Sequence, residues 1–186
     1  MNVTIYSDGS SRGNPGPGGF GTVLHYVTPK GELVKLELSQ GYVETTNNRM
    51  ELMGVIAGLS ALNEPCSVIV CSDSAYVVNA FEMGWVYGWM KSGWRTADKK
   101  DVKNVELWQR LVQLCGVHLV RFNKVKGHAD DEMNNRCDSL ARAEADRIDT
   151  LQKREVPDIA QESQEIATPP WDSDEEQISF LSPEND

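Results

Sequence analysis

Apolar and polar residues alternate along the first forty residues in the manner of β-strands. Residues 3–8, 20–27 and 33–41 are the predicted strands, and the last two are joined by a turn at residues 29–31. We therefore expect an antiparallel meander. Between the first two strands, residues 13–19 are rich in Gly and Pro and predict a bent, exposed loop, either a plain connection or one that a ligand approaches closely.

After the third strand the apolar spacing becomes helical. Leu52, Val55, Ile56 and Leu59 predict one buried face of a helix that ends near residue 63, before Pro65. Residues 68–71 are then continuously apolar, which predicts a strand covered on both faces. Three strands, a helix and a fourth strand indicate an α/β fold with a mixed sheet, whose parallel pair is linked by the crossover helix.

The second half of the chain continues the α/β pattern. Helices are predicted at residues 75–81, 105–115 and 134–149, and a fifth strand at residues 118–125. From residue 150 the apolar periodicity fades, and Pro, Ser, Gln and acidic residues dominate. This composition predicts two regions, a folded domain at residues 1–149 and an acidic, disordered tail at residues 150–186.

Charge is divided unevenly between these regions. Residues 1–150 hold 16 basic and 18 acidic residues, a net of −2, whereas residues 151–186 hold 2 and 10, a net of −8. The nearly neutral first part can therefore carry a local basic patch for nucleic acid.

The four cysteines show no CxxC spacing, so we expect free, buried thiols. No apolar stretch approaches the roughly 20 residues of a membrane span, and we expect a soluble cytoplasmic protein.

Four carboxylates occupy positions from which α/β sheets build sites. Asp8 and Asp73 end predicted strands, Glu51 lies in the first turn of the crossover helix, and Asp138 adjoins buried positions of the last helix. For Glu51 alone, a capping box with Asn48 is an alternative. Four acids brought together repel one another unless cations neutralise them, and oxygen ligands suit Mg²⁺ or Mn²⁺. The chemistry this favours is phosphoryl transfer.

Aromatic and basic residues are interleaved in residues 84–103. Trp85, Trp89 and Trp94 alternate with a set of cationic side chains, namely Lys91, Arg95, Lys99, Lys100 and Lys103. Such a segment can bind a phosphate backbone, or it can pack its tryptophans on the core while its charges are solvated. The residues leave both interpretations open.

Several segments in register resemble one family, the type I ribonucleases H of bacteria. They are residues 7–10, 13–19, 45–52, 72–74, 94–100, 102–105 and 125–129, in family order across residues 1–147. The resemblance implies a ribonuclease H-like fold with a five-stranded mixed sheet, three strands antiparallel and two parallel, flanked by helices. It also implies an endonuclease that cleaves the RNA strand of RNA·DNA hybrids and leaves 3′-hydroxyl and 5′-phosphate ends.

The resemblance implies roles for the acids and for one histidine. Asp8 would bridge two metal ions, Asp138 would complete the ion that activates water, and Glu51 with Asp73 would hold the ion near the leaving oxygen. His128 would shuttle a proton or assist product release. Mg²⁺ is the implied metal, as two ions with substrate, and Mn²⁺ is a second candidate. A catalytically idle hybrid-binding module and a DNA-directed nuclease on the same fold are the alternative functions.

Substrate contacts are also implied by the resemblance, to the minor groove, a DNA phosphate and a DNA sugar. The residues concerned are Gly9, Gly13, Asn14, Thr46, Asn47, Asn48, Trp94, Lys99, Lys100 and Asn104. The chain departs from the family at Ala75, where a Gln often stands, and at Met90 and Ser92, where relatives often have Lys or Arg. We expect these departures to weaken hybrid binding and to make it more sensitive to salt.

The tail carries one short motif. Gln177, Ile178, Ser179, Phe180 and Leu181 resemble peptides that bind the bacterial sliding clamp, with the last two apolar residues in unusual order. The clamp or another replication protein is one expected partner, and a tail that only solvates the protein is the alternative. We expect a monomer.

Overall fold

The computed structural model describes residues 1–126 and 131–153. Its elements, in chain order, are β1 (Asn2–Ser11), β2 (Gly16–Val27), β3 (Leu33–Thr45), α1 (Asn47–Ser60), β4 (Ser67–Ser72), α2 (Ala75–Glu82), α3 (Trp85–Lys91), α4 (Val105–Val117), β5 (Leu119–Lys124) and α5 (Glu132–Lys153). The predicted tail boundary falls inside α5, which ends four residues after residue 149. The remaining tail residues lie outside the described part of the chain.

The five strands form one mixed sheet in the order β3-β2-β1-β4-β5. The pairs β1·β2 and β2·β3 are antiparallel, and the pairs β1·β4 and β4·β5 are parallel. The predicted meander, crossover helix and parallel strands are therefore confirmed. Strand β4 differs from the prediction in one respect, since Ile69 is 45% exposed and only part of the strand is covered on both faces.

Helix α1 lies against one face of the sheet and is buried on all sides. Every residue from Met50 to Leu59 is buried, so the predicted single apolar face is too narrow a description. Gly54 and Gly58 permit this contact, because a Cβ at Gly54 would lie 2.6 Å from Ser7 Oγ and one at Gly58 would lie 2.7 Å from Ile5 Cγ2. Helix α4 covers the outside of α1 with its buried residues, including Trp108 and Leu111.

Helix α5 lies on the opposite face and packs on β2, β1 and β3. Glycines of the strands form the surface on which α5 packs. A Cβ at Gly19 would lie 2.5 Å from Glu144 Cβ, and one at Gly41 would lie 2.6 Å from Ile148 Cγ1. The predicted exposed loop at residues 13–19 is therefore partly wrong, because β2 begins at Gly16, and Gly18 and Gly19 are buried within it.

One buried histidine joins α1 to the parallel strands. His118 is 6% exposed, its Nδ1 accepts a hydrogen bond from the Cys66 N–H at 3.2 Å, and its ring also bonds the backbone of Leu59. Burial lowers the pKa of His118, while the bond to Leu59 opposes this shift. The neutral imidazole is therefore the form that the fold accommodates.

We expect the free energy of unfolding to fall as the pH drops below about 6.5, the ordinary pKa of a histidine. The folded pKa is lowered, so the unfolded chain binds the extra proton first; the contribution is complete above the ordinary pKa and is lost below it. Urea unfolding of wild type and His118→Gln between pH 5 and 8 measures this contribution by difference, since other titrating groups cancel. A difference that does not change with pH would contradict the prediction.

Candidate active site

The candidate site lies where β1 and β4 separate. Their parallel pairing ends at Tyr6 and Cys71, and Asp8 and Asp73 follow two residues later on the respective chains. The prediction that Asp8 ends its strand is wrong, because β1 continues to Ser11 and pairs Asp8 with Gly21 of β2. The end of the parallel pairing, and not the end of β1, therefore opens the space for a site.

Gly9 brings the first turn of α1 against this opening. A Cβ at Gly9 would overlap the backbone N of Glu51 and lie 2.6 Å from the carbonyl carbon of Met50. The space left by the missing side chain is thus filled by α1, and the contact of the Gly9 backbone with nucleic acid stays a prediction. The absence of a side chain at Gly9 therefore lets α1 come close enough to bring Glu51 beside Asp8.

The capping-box interpretation of Glu51 is wrong. Thr46 is the N-cap of α1, with extended backbone angles, and its side chain accepts a hydrogen bond from the Arg49 N–H at 3.3 Å. Asn48 and Glu51 lie inside the helix, at its second and fifth residues. The carboxylate of Glu51 therefore serves no cap.

Three carboxylates converge at this point. One oxygen each from Asp8, Glu51 and Asp73 lies within 4.8 Å of the other two. Asp8 is 8% exposed and Glu51 is 6% exposed. Burial, with the charge of Asp73, raises the pKa of Asp8 to about 6 even though the Gly9 N–H donates to it at 2.7 Å. Burial and the charges of Asp8 and Asp73 raise the pKa of Glu51 well above its ordinary value.

The bonding of Glu51 shows what the cluster lacks. Its Oε1 accepts a hydrogen bond from Asn47 Nδ2 at 3.3 Å, but its buried Oε2 has no hydrogen-bond partner among the described residues. A buried carboxylate oxygen without a donor costs several kcal/mol. A cation bound by all three acids would remove both this cost and the mutual repulsion, and their oxygen-only donor set fits Mg²⁺ or Mn²⁺.

Asp138 lies near this cluster but is paired differently. It is close enough to contribute to the electrostatic environment of Asp8, and its Oδ1 accepts from Arg142 Nε at 2.7 Å. The three-carboxylate group does not include it. Arg142 was not predicted, although the i,i+4 spacing of an acid and a base on one helix is a recognisable signal. In this arrangement the charge of Asp138 is balanced by an arginine.

The predicted substrate-binding residues fall into two groups, those with exposed side chains and those whose side chains are bonded within the protein. Asn14, Asn48, Lys99 and Lys100 have exposed side chains, and Gly13 lies in the exposed turn between β1 and β2. The side chains of Thr46 and Asn47 are engaged within α1, as described above. None of these positions is tested for contact with nucleic acid, and their roles stay predictions.

Asn104 belongs to a network that the sequence did not reveal. Its Oδ1 accepts from Arg49 at 3.2 Å, its Nδ2 donates to the Tyr76 hydroxyl at 3.2 Å, and Arg49 also bonds Glu106. Trp108 Nε1 donates to the same hydroxyl at 3.1 Å. The network ties the first turn of α1 to the beginnings of α2 and α4. Because the partners are distant in sequence, no local pattern could have indicated it.

The segment around α3 supports both interpretations of its tryptophans. Trp89 packs edge-on against Trp108 at a centroid distance of 5.4 Å, and Trp94 is half-buried against the core. Trp85 is 45% exposed, and the basic side chains of the segment are exposed. Trp94, Lys99 and Asn104 are the non-glycine residues with left-handed φ angles in the described ranges. Such backbone strain, of the order of 1 kcal/mol each, concentrates at functional sites.

Two predictions lie outside the described residues. His128 falls in residues 127–130, and the motif at residues 177–181 falls in residues 154–186. The structure does not test either.

Within the described ranges, the helices are all too short or too polar to cross a membrane. The four thiols are free, and Cys115 alone is partly exposed.

Comparison with known proteins agrees with this geometry. The RNase H family model matches residues 1–146. A ribonuclease H of Chlorobaculum parvum is 53% identical over 141 residues, which cover 75% of this chain and 92% of that protein. The chain belongs to the RNase H family. The predicted type I bacterial ribonuclease H, and with it an enzyme, is confirmed.

Solved structures of similar fold place this RNase H among type 1 enzymes. LC9-RNase H1, described as a type 1 RNase H with the type 2 active-site motif, matches with a TM-score of 0.70 and 33% identity over 77% of this chain and 72% of that one. LC11-RNase H1, solved in complex with an RNA/DNA hybrid, matches with a TM-score of 0.55 and 26% identity over 78% and 97%. The predicted ribonuclease H-like fold is confirmed.

Proposed function

We propose that this protein hydrolyses the RNA strand of RNA·DNA hybrids at the carboxylate cluster, with two divalent cations, and leaves 3′-hydroxyl and 5′-phosphate ends. The buried, unpartnered Oε2 of Glu51 beside Asp8 and Asp73 is the observation that carries the proposal. The hybrid bound by LC11-RNase H1 supports the substrate class.

The acids divide the work of holding the cations. Asp8, Glu51 and Asp73 would hold one ion, and Asp138 would join Asp8 at a second after exchanging its bond with Arg142. When bound, Mg²⁺ or Mn²⁺ supplies an activated water and stabilises the leaving oxygen of the phosphodiester. Asn47 holds Oε1 of Glu51 in place, and Gly9 holds Asp8. His128 would carry a proton or assist product release.

Selection of a hybrid requires sensing the 2′-hydroxyl on one strand and deoxyribose on the other. The exposed amides of Asn14, in the β1–β2 turn, and of Asn48, in α1, can both donate to and accept from a minor groove. Lys99 and Lys100 would neutralise phosphates, and Trp94 would stack on a DNA sugar. Thr46, the N-cap of α1, would contact a DNA phosphate, and Asn104 would contact substrate from the network that it forms with Arg49 and Tyr76.

We expect wild type with Mg²⁺ to cleave a labelled RNA·DNA hybrid, and to leave single-stranded RNA, RNA duplex and DNA duplex uncut. The Asp8→Asn variant is the matched control, since it keeps the shape of the side chain and its acceptor for Gly9. It should bind hybrid and cleave none of the four substrates. An end-labelled product series read on a denaturing gel also reports the chemistry of the ends.

The other results identify the alternatives. A hybrid that is bound but stays intact with wild type would indicate an idle binding module. Cleavage of the DNA duplex at a similar rate would indicate a DNA-directed nuclease on the same fold. Either result would overturn the proposed function.

A further inference from the structure

Helix α3 and the residue that follows α2, Met83, present apolar side chains to solvent. Met83 is 64% exposed, Trp85 45%, Tyr87 55% and Met90 44%. The helix already buries Val86, and Trp89 is packed on Trp108, so these side chains are additional to its core contact. Tyr87 and Met90 are three residues apart and share one side of α3; together with Met83, which follows α2, they are hereafter the α3 face. Clusters of exposed apolar residues mark interaction surfaces more often than isolated ones do.

The end of α3 and the segment that follows it are basic. Lys91 ends α3, and the exposed Arg95, Lys99, Lys100 and Lys103 follow. The acids of the same segment are Asp98 and Asp101, so residues 84–104 carry five basic and two acidic side chains. The partner that such a surface fits is an apolar segment flanked by negative charges.

The chain itself contains a segment of this chemistry. Residues 171–181 hold the apolar Trp171, Ile178, Phe180 and Leu181 around four acids at positions 172, 174, 175 and 176. We propose that this segment docks on the α3 face of the same molecule. Its apolar side chains would cover Met83, Tyr87 and Met90, and its acids would face Lys91 and Arg95.

The length of the chain permits this contact. Seventeen residues separate Lys153, the end of α5, from Trp171. They span up to about 60 Å when extended, whereas a 150-residue domain has a radius of gyration of about 15 Å. Tethering gives the segment an effective concentration in the millimolar range, so a weak contact is sufficient.

Docking has a consequence for nucleic acid, which rests on the proposed function. The segment would lie beside Trp94, Lys99 and Lys100, where we propose that DNA of the hybrid binds. The two ligands would therefore compete for one basic surface, and the acidic segment would lower the apparent affinity for hybrid at low salt. The docking itself is measured without nucleic acid, so its failure differs from failure of the proposed function.

Amide NMR spectra of the full chain test the docking directly. We expect the double variant Phe180→Ala, Leu181→Ala to shift amide resonances of residues 83–92 relative to wild type. The variant Tyr87→Ser, Met90→Ser should shift resonances of residues 171–181, whereas Leu36→Ser, an equally exposed apolar position on β3, should not. The shifts should shrink between 0.1 and 1 M salt, as the screening length falls from about 10 to about 3 Å.

Hybrid binding gives the second measurement. In an Asp8→Asn background, the Phe180→Ala, Leu181→Ala variant should bind hybrid about three- to tenfold more tightly at low salt, as expected if the segment is docked roughly 70–90% of the time. Unchanged resonances at residues 83–92 would overturn the docking, and so would shifts at another surface. Shifts that depend on protein concentration would assign the surface to a second copy, and would overturn the intramolecular contact.

Discussion

Replacing Glu51 with Gln is expected to reduce hydrolysis of an RNA·DNA hybrid by at least about 1000-fold, because a lost cation ligand removes several kcal/mol of transition-state stabilisation. The fold should be retained, since Gln has the same shape and its Oε1 can still accept from Asn47. Its amide nitrogen would take the place of Oε2, which has no hydrogen-bond partner in wild type, and could donate to the carboxylates of Asp8 or Asp73. Initial rates with saturating Mg²⁺ measure the loss.

The same variant should be more stable than wild type in the absence of divalent cations. The buried carboxylates of Asp8 and Glu51 repel each other and the partly exposed Asp73, and the raised pKa values of Asp8 and Glu51 record this cost. For an acid with a raised folded pKa, stability falls as the pH rises from the ordinary pKa to the folded one, here about 4 to about 6 for Asp8. At pH 7 we expect Glu51→Gln to gain about 1–3 kcal/mol in free energy of unfolding.

Added Mg²⁺ should reverse the order of the two proteins. Wild type should gain melting temperature with Mg²⁺ concentration, because the ion binds the folded state, and Glu51→Gln should gain much less. Glu44→Gln is the matched control, since Glu44 is an exposed acid on β3. It should match wild type in hydrolysis rate, in free energy of unfolding without divalent cations, and in the gain of melting temperature with Mg²⁺. Equal activity of Glu51→Gln and wild type would remove the cluster from the reaction.

The sequence predicted the parts of this site that depend on local pattern. Alternation predicted β1, a continuous apolar run predicted β4, and helical spacing predicted α1. Acids expected at the ends of parallel strands then predicted that Asp8 and Asp73 would meet. Glu51 comes from the crossover helix as predicted, but from its fifth residue and not from its first turn, because α1 begins at Asn47. These steps succeed because the parallel pairing of two adjacent strands ends at one place for both, even where one strand, here β1, continues beyond it in an antiparallel pair.

Other features depended on contacts that no local pattern contains. Thr46 and Asn48 are both good N-cap residues, and the end of β3 at Thr45 decided between them. Arg49 and Tyr76 take their roles from Asn104 and Trp108, which lie far along the chain. Glycines gave the largest error, because a residue without a side chain contributes nothing to hydrophobic periodicity and was interpreted as a loop signal.

Gly21 provides the sharpest test of what those glycines do. A Cβ at Gly21 would overlap the carbonyl oxygen of Cys137 and lie 2.6 Å from Leu140 Cβ and 2.9 Å from the backbone N of Ala141. Two of these three atoms belong to the backbone of α5, so the helix must move as a unit. We expect Gly21→Ala to cost about 3 kcal/mol or more and to lower the melting temperature by roughly 10 °C.

The displacement should also affect activity at temperatures where the variant is folded. Gly21 pairs with Asp8 across β1 and β2, and Asp138 follows Cys137 directly on α5, so moving the helix separates Asp138 from Asp8. Gly116→Ala is the matched control, because a Cβ there meets no atom within 4 Å and Gly116 lies inside α4. It should stabilise the protein by about 0.5–1 kcal/mol, since alanine favours a helix. If both variants shifted the melting temperature in the same direction, close packing of α5 on β2 would not be the role of Gly21.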